Sequence, residues 1–211
     1  MRIAVISANS RTGQALVAQA ITEKLSINAG INHHNNLAAN PLIKIINCDA
    51  TKKSDIKQLI NGCDVVVSLI GHTRKSPANL QTLAIQNVIE TMKELGINRL
   101  ISLTGTGARQ ANDKITILDY ILNISIRLID PARIKDGINH AQVIKQSGLD
   151  WTIVRVLKLT NRQRSPLTLS EHGPSALLVP RSEVARLIIK LIETEDFYQK
   201  MPIISSEVID N

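Results

Sequence analysis

The chain has 211 residues, with 25 Lys or Arg against 18 Asp or Glu and a formal charge of +7. At 44% hydrophobic and 20% charged, it has the apolar content of a full-sized core, which excludes a disordered, collagen-like or disulfide-stapled chain. Its four aromatics, Tyr120, Trp151, Phe197 and Tyr198, are too few for the stacking platforms of single-strand and RNA binders, so nucleic acid ranks last among the partners the charge suggests. Cys48 and Cys63 stand in no metal or redox spacing and read as buried, reduced thiols. The apolar start Ile3-Ala4-Val5-Ile6 is too short for a signal peptide, and no stretch approaches the roughly 18 apolar residues of a membrane span. These features predict a cytoplasmic protein of one domain, with no membrane contact and no metal site.

Short apolar runs alternate with helical periods, the pattern of a doubly wound α/β fold with a parallel sheet and helices on both faces. Ile3 to Ile6 reads as a first strand and about Thr12 to Leu25 as a helix, with Leu16, Val17, Ala20 and Ile21 inward. Ile27, Ala29 and Ile31 make a weak second strand, and Ile43 to Ile46 a third. Ser54 is placed to cap a short helix that ends at Gly62. Val65 to Ile70 is a fully apolar central strand, followed by a helix from about Asn79 to Leu95 that Gly96 closes. Leu100 to Thr104 and Trp151 to Arg155 are the fifth and sixth strands. Between them, Ile117, Leu118, Ile121, Leu122 and Leu128 form a helical stripe over Ile115 to Ile129, expected to pack on the core, with a lid or subunit contact as the alternative. Ser182 is placed to cap a last helix running to about Thr194, before a short strand near Ile203 and Ile204.

In such a sheet, ligands bind beyond the carboxyl ends of the strands, next to the first one. The turn there reads Ser7-Ala8-Asn9-Ser10-Arg11-Thr12-Gly13. A dinucleotide turn uses three glycines, of which this chain keeps Gly13 and places Ser7 and Ser10 at the other two. The amides at the start of the following helix favour an anion and Arg11 adds charge, although a plain helix start capped by Ser10 would read the same way.

Several segments in order resemble one family. "IAVISANSRTG", "CDATKKSDIKQLINGCDVVVSLIGHTRKSP", "QNVIETMKELGINRLISLTGTGA", "KQSGLDWTIVR" and "GPSALLVPRSEVARLIIKLIETEDF" are similar to the atypical short-chain dehydrogenase/reductases that include biliverdin reductase B, the NADH-flavin reductases and the NmrA-like proteins. The resemblance implies a Rossmann domain over residues 1–211 that binds NADP or NAD, with a small region around 157–181 covering a planar substrate. It implies cofactor contacts from Ser7, Asn9, Ser10, Arg11, Thr12 and Gly13, from Asp49 and Ala50 near adenine, from Leu69, Ile70 and Gly71 along the ribose, and from Thr104, Val156, Leu157 and Lys158 near nicotinamide. The family's arginines for a 2′-phosphate map to Asn32 and Asn36, which offer hydrogen bonds without charge, leaving Arg11 as the nearest cation.

At the catalytic positions the family serine maps to Gly105, beside Thr104, and the family histidine to Gly137, with His140 about one helical turn later. Tyr120 lacks the lysine of a Tyr-x-x-x-Lys pair, since Asn123 and Ile124 stand there. The catalytic candidates are therefore Thr104 and His140. His72, ending the fourth strand, reads equally as a neighbour of the nicotinamide or as a loop histidine, and His33-His34 as a polar loop. Lys158, Arg162, Arg164, Arg74 and Lys75 are placed to attract a small anionic substrate. The expected activity is hydride transfer from NAD(P)H to a planar acceptor by a monomer or homodimer; the alternative is a non-catalytic NAD(P)-binding sensor.

Overall fold

The computed structural model describes residues 1–32, 34–72, 76–162 and 166–206. Strand β1 (Arg2–Ile6) leads into helix α1 (Arg11–Thr22), β2 (Ser26–Ile31) and β3 (Ile43–Asn47). Then follow α2 (Lys53–Ile60), β4 (Val65–Ser68), α3 (Leu80–Leu95) and β5 (Arg99–Gly105). Two successive helices, α4 (Ile117–Ile129) and α5 (Pro131–Lys145), precede β6 (Asp150–Val156). The remainder is β7 (Leu159–Thr160), β8 (Leu167–Ser170), β9 (Val179–Pro180), α6 (Arg181–Glu193) and β10 (Ile203–Ser206).

Among the described residues the main sheet runs β3-β2-β1-β4-β5-β6-β10-β8, parallel from β3 to β10, with β8 antiparallel on the edge. This is a Rossmann arrangement: the chain moves outward from β1 to β3, crosses back to β4 and moves outward the other way, so strand order reverses between β1 and β4. β1 shows why. Ile3 and Val5 join a core under α1 and α6, Ala4 and Ile6 join a second core under α2, α3 and α5, and all four are buried. At about 25 cal/mol per Å² of apolar surface, these two cores are the main driving force of the fold.

α1 begins where the Ser10 side chain accepts the Gly13 N–H at 3.0 Å and ends before Lys24, whose φ is +56°. Neither Ser54 nor Ser182 is a cap. α2 and α6 start two residues earlier than those serines suggest, from Lys52 and Pro180 as flanking residues, and Ser54 donates instead to Asp55. α3 has no cap from Asn79; the Asp136 carboxylate, brought by α5, accepts the Gln81 N–H at 2.8 Å, the Thr82 N–H at 3.0 Å and the Thr82 hydroxyl at 2.6 Å. Arg155, fully buried, forms a bidentate pair with Asp113 and donates to the Met201 carbonyl, pinning β6 to the loop before α4.

Cys48 and Cys63 are buried and free, as expected; burial, then the Asp55 and Asp49 charges, push the Cys48 thiol up to about 12, and burial pushes Cys63 up to about 11. The expectation for α4 is overturned: among its residues only Asp119 is buried, and the aliphatic stripe faces water.

Candidate functional site

Parallel strands deliver all their carboxyl ends to one edge of the sheet, and the selected cofactor positions gather there. After β1, Ser7 adopts φ +63°, the left-handed region that glycine enters freely and that costs another residue roughly 1 kcal/mol. The Ser10 N–H donates to the Ser7 carbonyl at 3.0 Å and closes the turn. A Cβ on Gly13 would meet the Ser7 carbonyl oxygen and stand 2.6 Å from the Ala8 carbonyl oxygen, so close packing of α1 on the turn requires glycine at that position.

Asn9 ties this turn to the end of β2. Its side-chain amide donates to the Asn32 carbonyl at 3.3 Å and the His34 carbonyl at 2.9 Å, while its own carbonyl accepts Gln14 at 3.0 Å and Asn36 at 3.2 Å. Asn36, at a position of a family arginine, is therefore spent on the turn. Past β3, Asp49 accepts the Thr51 N–H at 3.0 Å and the Thr51 hydroxyl at 2.7 Å, and the Ala50 carbonyl accepts Asn87 at 3.1 Å. Past β4, Leu69 and Ile70 are buried and Gly71 faces open space: a Cβ there would meet nothing within 4 Å. Past β6, Val156 is buried, Leu157 half-buried and Lys158 exposed, the Lys158 carbonyl accepting the Val179 N–H at 2.8 Å. His33, Arg74, Lys75 and Arg164 lie outside the described residues.

Of the catalytic candidates, Thr104 is at the edge and His140 is not. A Cβ on Gly137 would stand 3.3 Å from the Thr104 hydroxyl, so the middle of α5 and the end of β5 face each other. His140 is neither on the helix surface nor open to the edge. It is 2% exposed, its Nε2 lies 3.0 Å from the Ser102 hydroxyl, and burial pushes its imidazole down to about 4 against a smaller upward pull from Asp136. That is the geometry of a neutral core hydrogen bond.

Two further residues belong to this edge: His72, left open by the sequence between a nicotinamide neighbour and a loop histidine, and Arg181, which the sequence did not single out. His72, two residues past Ile70 in the segment that leaves β4, has a side chain only 6% exposed, with Nε2 3.7 Å from Asp130 and Nδ1 3.9 Å from Asp136. The imidazole thus packs beside Asp136, the residue that precedes Gly137 on α5. Arg181, first residue of α6, donates to Asn161 at 2.7 Å, and its buried Nε has no hydrogen-bond partner among the described residues. Burial, then the Arg11 charge, push its guanidinium below the ordinary value. α6 packs against α1, so two cations from opposite ends of the chain converge on the amides of the α1 N-terminus, where an anion is favoured.

These features fit a dinucleotide: an anion-accepting end at Arg11 and Arg181, a tight glycine turn, and open backbone at Gly71. Residues 7–195 match the model of the NAD(P)H-binding family, and the chain belongs to that family. Its cofactor is NAD or NADP. The fold is shared with a short-chain dehydrogenase/reductase of Veillonella parvula in complex with NADP, at TM-score 0.81 and 14% identity over 97% of this chain and 94% of that one. The oxidoreductase ylbE of Lactococcus lactis aligns at TM-score 0.82 and 16% identity over 98% and 91%. A Rossmann-fold NAD(P)-binding family protein of Shigella flexneri aligns at TM-score 0.73 and 20% identity over 100% and 95%. In sequence, 116 residues are 23% identical to protein TIC 62, chloroplastic, of Arabidopsis thaliana, which covers 51% of this chain but only 18% of that protein's length. Among the described residues no helix is long and apolar enough to cross a membrane, and no cluster of His, Cys, Asp or Glu forms a metal site.

Proposed function

We propose that the chain is an NAD(P)H-dependent reductase of the kind represented by biliverdin reductase B and the NADH-flavin reductases, acting on a small, planar, anionic acceptor in a cytoplasmic setting. The observation that carries this reading is His72, a buried imidazole flanked by Asp130 and Asp136, the latter next to the Gly137 that faces Thr104. When bound, NAD(P)H supplies the hydride. Arg11, Arg181 and the α1 amides hold phosphate oxygens, and Gly71 leaves room for the ribose. Asp130 and Asp136 orient the His72 ring, which delivers a proton to the reduced acceptor and recovers one from water. Thr104 hydrogen-bonds the acceptor or the nicotinamide amide. Lys158 and Arg162, both exposed, attract the acceptor's negative groups, and residues 157–181 cover it. The buried, unreactive thiols support a reducing compartment.

A non-catalytic sensor of NmrA-like type is the second reading, favoured by the absence of a side chain at both Gly105 and Gly137, where relatives place catalytic groups. Paired assays of NADPH and NADH oxidation with flavin mononucleotide, riboflavin and biliverdin separate the two. Turnover with at least one acceptor is expected. Tight dinucleotide binding with no turnover on any of them assigns the sensor.

A further inference from the structure

α4 is built inside out. Its one buried residue is Asp119, 1% exposed, which accepts Arg109 at 2.5 Å, Asn123 at 2.7 Å and Ser175 at 2.7 Å and so anchors the helix by a polar hub. Its outer side is aliphatic: Ile117 and Leu128 are 80% exposed and Ile129 78%, with Leu118, Ile121 and Ile124 also in water. Burying such side chains is favourable, so a ridge of six left bare calls for a covering surface.

Charge identifies that surface. Lys114, Arg127, Arg133, Lys135 and Lys145 are exposed around the ridge, and Arg127, Lys135 and Lys145 also line a groove of about 690 Å³ between α4 and α5. Glu171, the exposed carboxylate that shares a groove with Gln110 and Lys145, is already paired with Lys200 at 2.6 Å. From residue 109 to 146 the acids are Asp113, held by Arg155, Asp119 in the hub, Asp130 capping α5, and Asp136 capping α3. A second copy of the chain laid on the ridge would set cations against cations, since each of these acids already has a partner. With 13 residues, α4 is about 20 Å long, too short to cross a bilayer and suited to lying flat in its headgroup layer.

We infer that the α4 face, with the start of α5, docks peripherally onto an anionic lipid surface, its aliphatic ridge entering the headgroup layer and its cations meeting lipid phosphates. This departs from the expectation of no membrane contact, which rested on the lack of a span and did not address surface association.

The test is flotation of the full chain with phosphatidylglycerol and phosphatidylcholine vesicles, repeated with L128E and with the R127E/K135E pair. The chain should float with phosphatidylglycerol vesicles, detach as salt is raised, and bind phosphatidylcholine vesicles at least about tenfold more weakly. L128E and R127E/K135E should each weaken binding to phosphatidylglycerol by about tenfold or more, with unchanged thermal unfolding and NADPH affinity. Equal binding to both vesicles, or to neither, overturns the inference. So does a dimer in sedimentation equilibrium that L128E converts to monomer, since the ridge is then covered by a second copy.

Discussion

Ser7 and Gly13 divide the cost of the phosphate turn between them. Ser7 holds the left-handed φ of +63° that a glycine would take without strain, and Gly13 sits where any side chain meets backbone oxygens. Ser7→Gly is therefore expected to stabilise the protein by roughly 1 kcal/mol, and Gly13→Ala to destabilise it by more than that, both read from urea melts. Restoring glycine at Ser10 is a different experiment, because it removes the α1 cap while freeing the Gly13 N–H. The spacing to Gly13 was legible in the sequence; the left-handed Ser7 was not, since only the folded turn imposes it. His140 carries the pH dependence. Its folded value near 4 lies below the ordinary 6.5, so the unfolded chain takes up the proton first as pH falls. The stabilisation is fully present above pH 6.5 and is lost between there and about 4, on the order of 3 kcal/mol. Melts near each end of that window should show a smaller loss in His140→Gln than in the parent; equal losses would remove His140 as the cause.

Among the elements, α3 depends on α5 for its first turn. Asp136→Ala leaves the Gln81 and Thr82 amides without their acceptor and should destabilise the protein by roughly 2–3 kcal/mol, measured as a shift in the urea midpoint. This cap crosses 55 residues of sequence and has no local signature, unlike Gly96 after α3, whose left-handed φ of +69° follows from its place after the last apolar turn. Strands β1, β2, β4, β5 and β6 were readable from apolar runs because they are buried on both faces, and β3, at the sheet edge with no buried residue, from its isoleucines alone. β7 and β9, of two residues each, and β8, with one buried residue, escaped notice. α4 is the instructive case. Its period announced a helix, but a period gives the width of an apolar stripe and not the side on which the molecule lies. Asp119, on the opposite side from that stripe, is the inward pole.

For the whole molecule, the switch between β1 and β4 sets the cofactor edge, and the long-range packing of α6 on α1 completes it. Arg181 could not be read beside Arg11 from the sequence, because 170 positions separate them and only the fold closes that distance. If the pair grips phosphate oxygens, Arg181→Gln should weaken NADPH binding about tenfold or more in calorimetric titration, with the melt unchanged. The comparison of single-turnover NADPH oxidation by flavin mononucleotide in the parent and in His72→Gln tests the reductase account most directly. The account predicts a rate about 100-fold lower in the variant at unchanged NADPH affinity. Equal rates in the two proteins would contradict it.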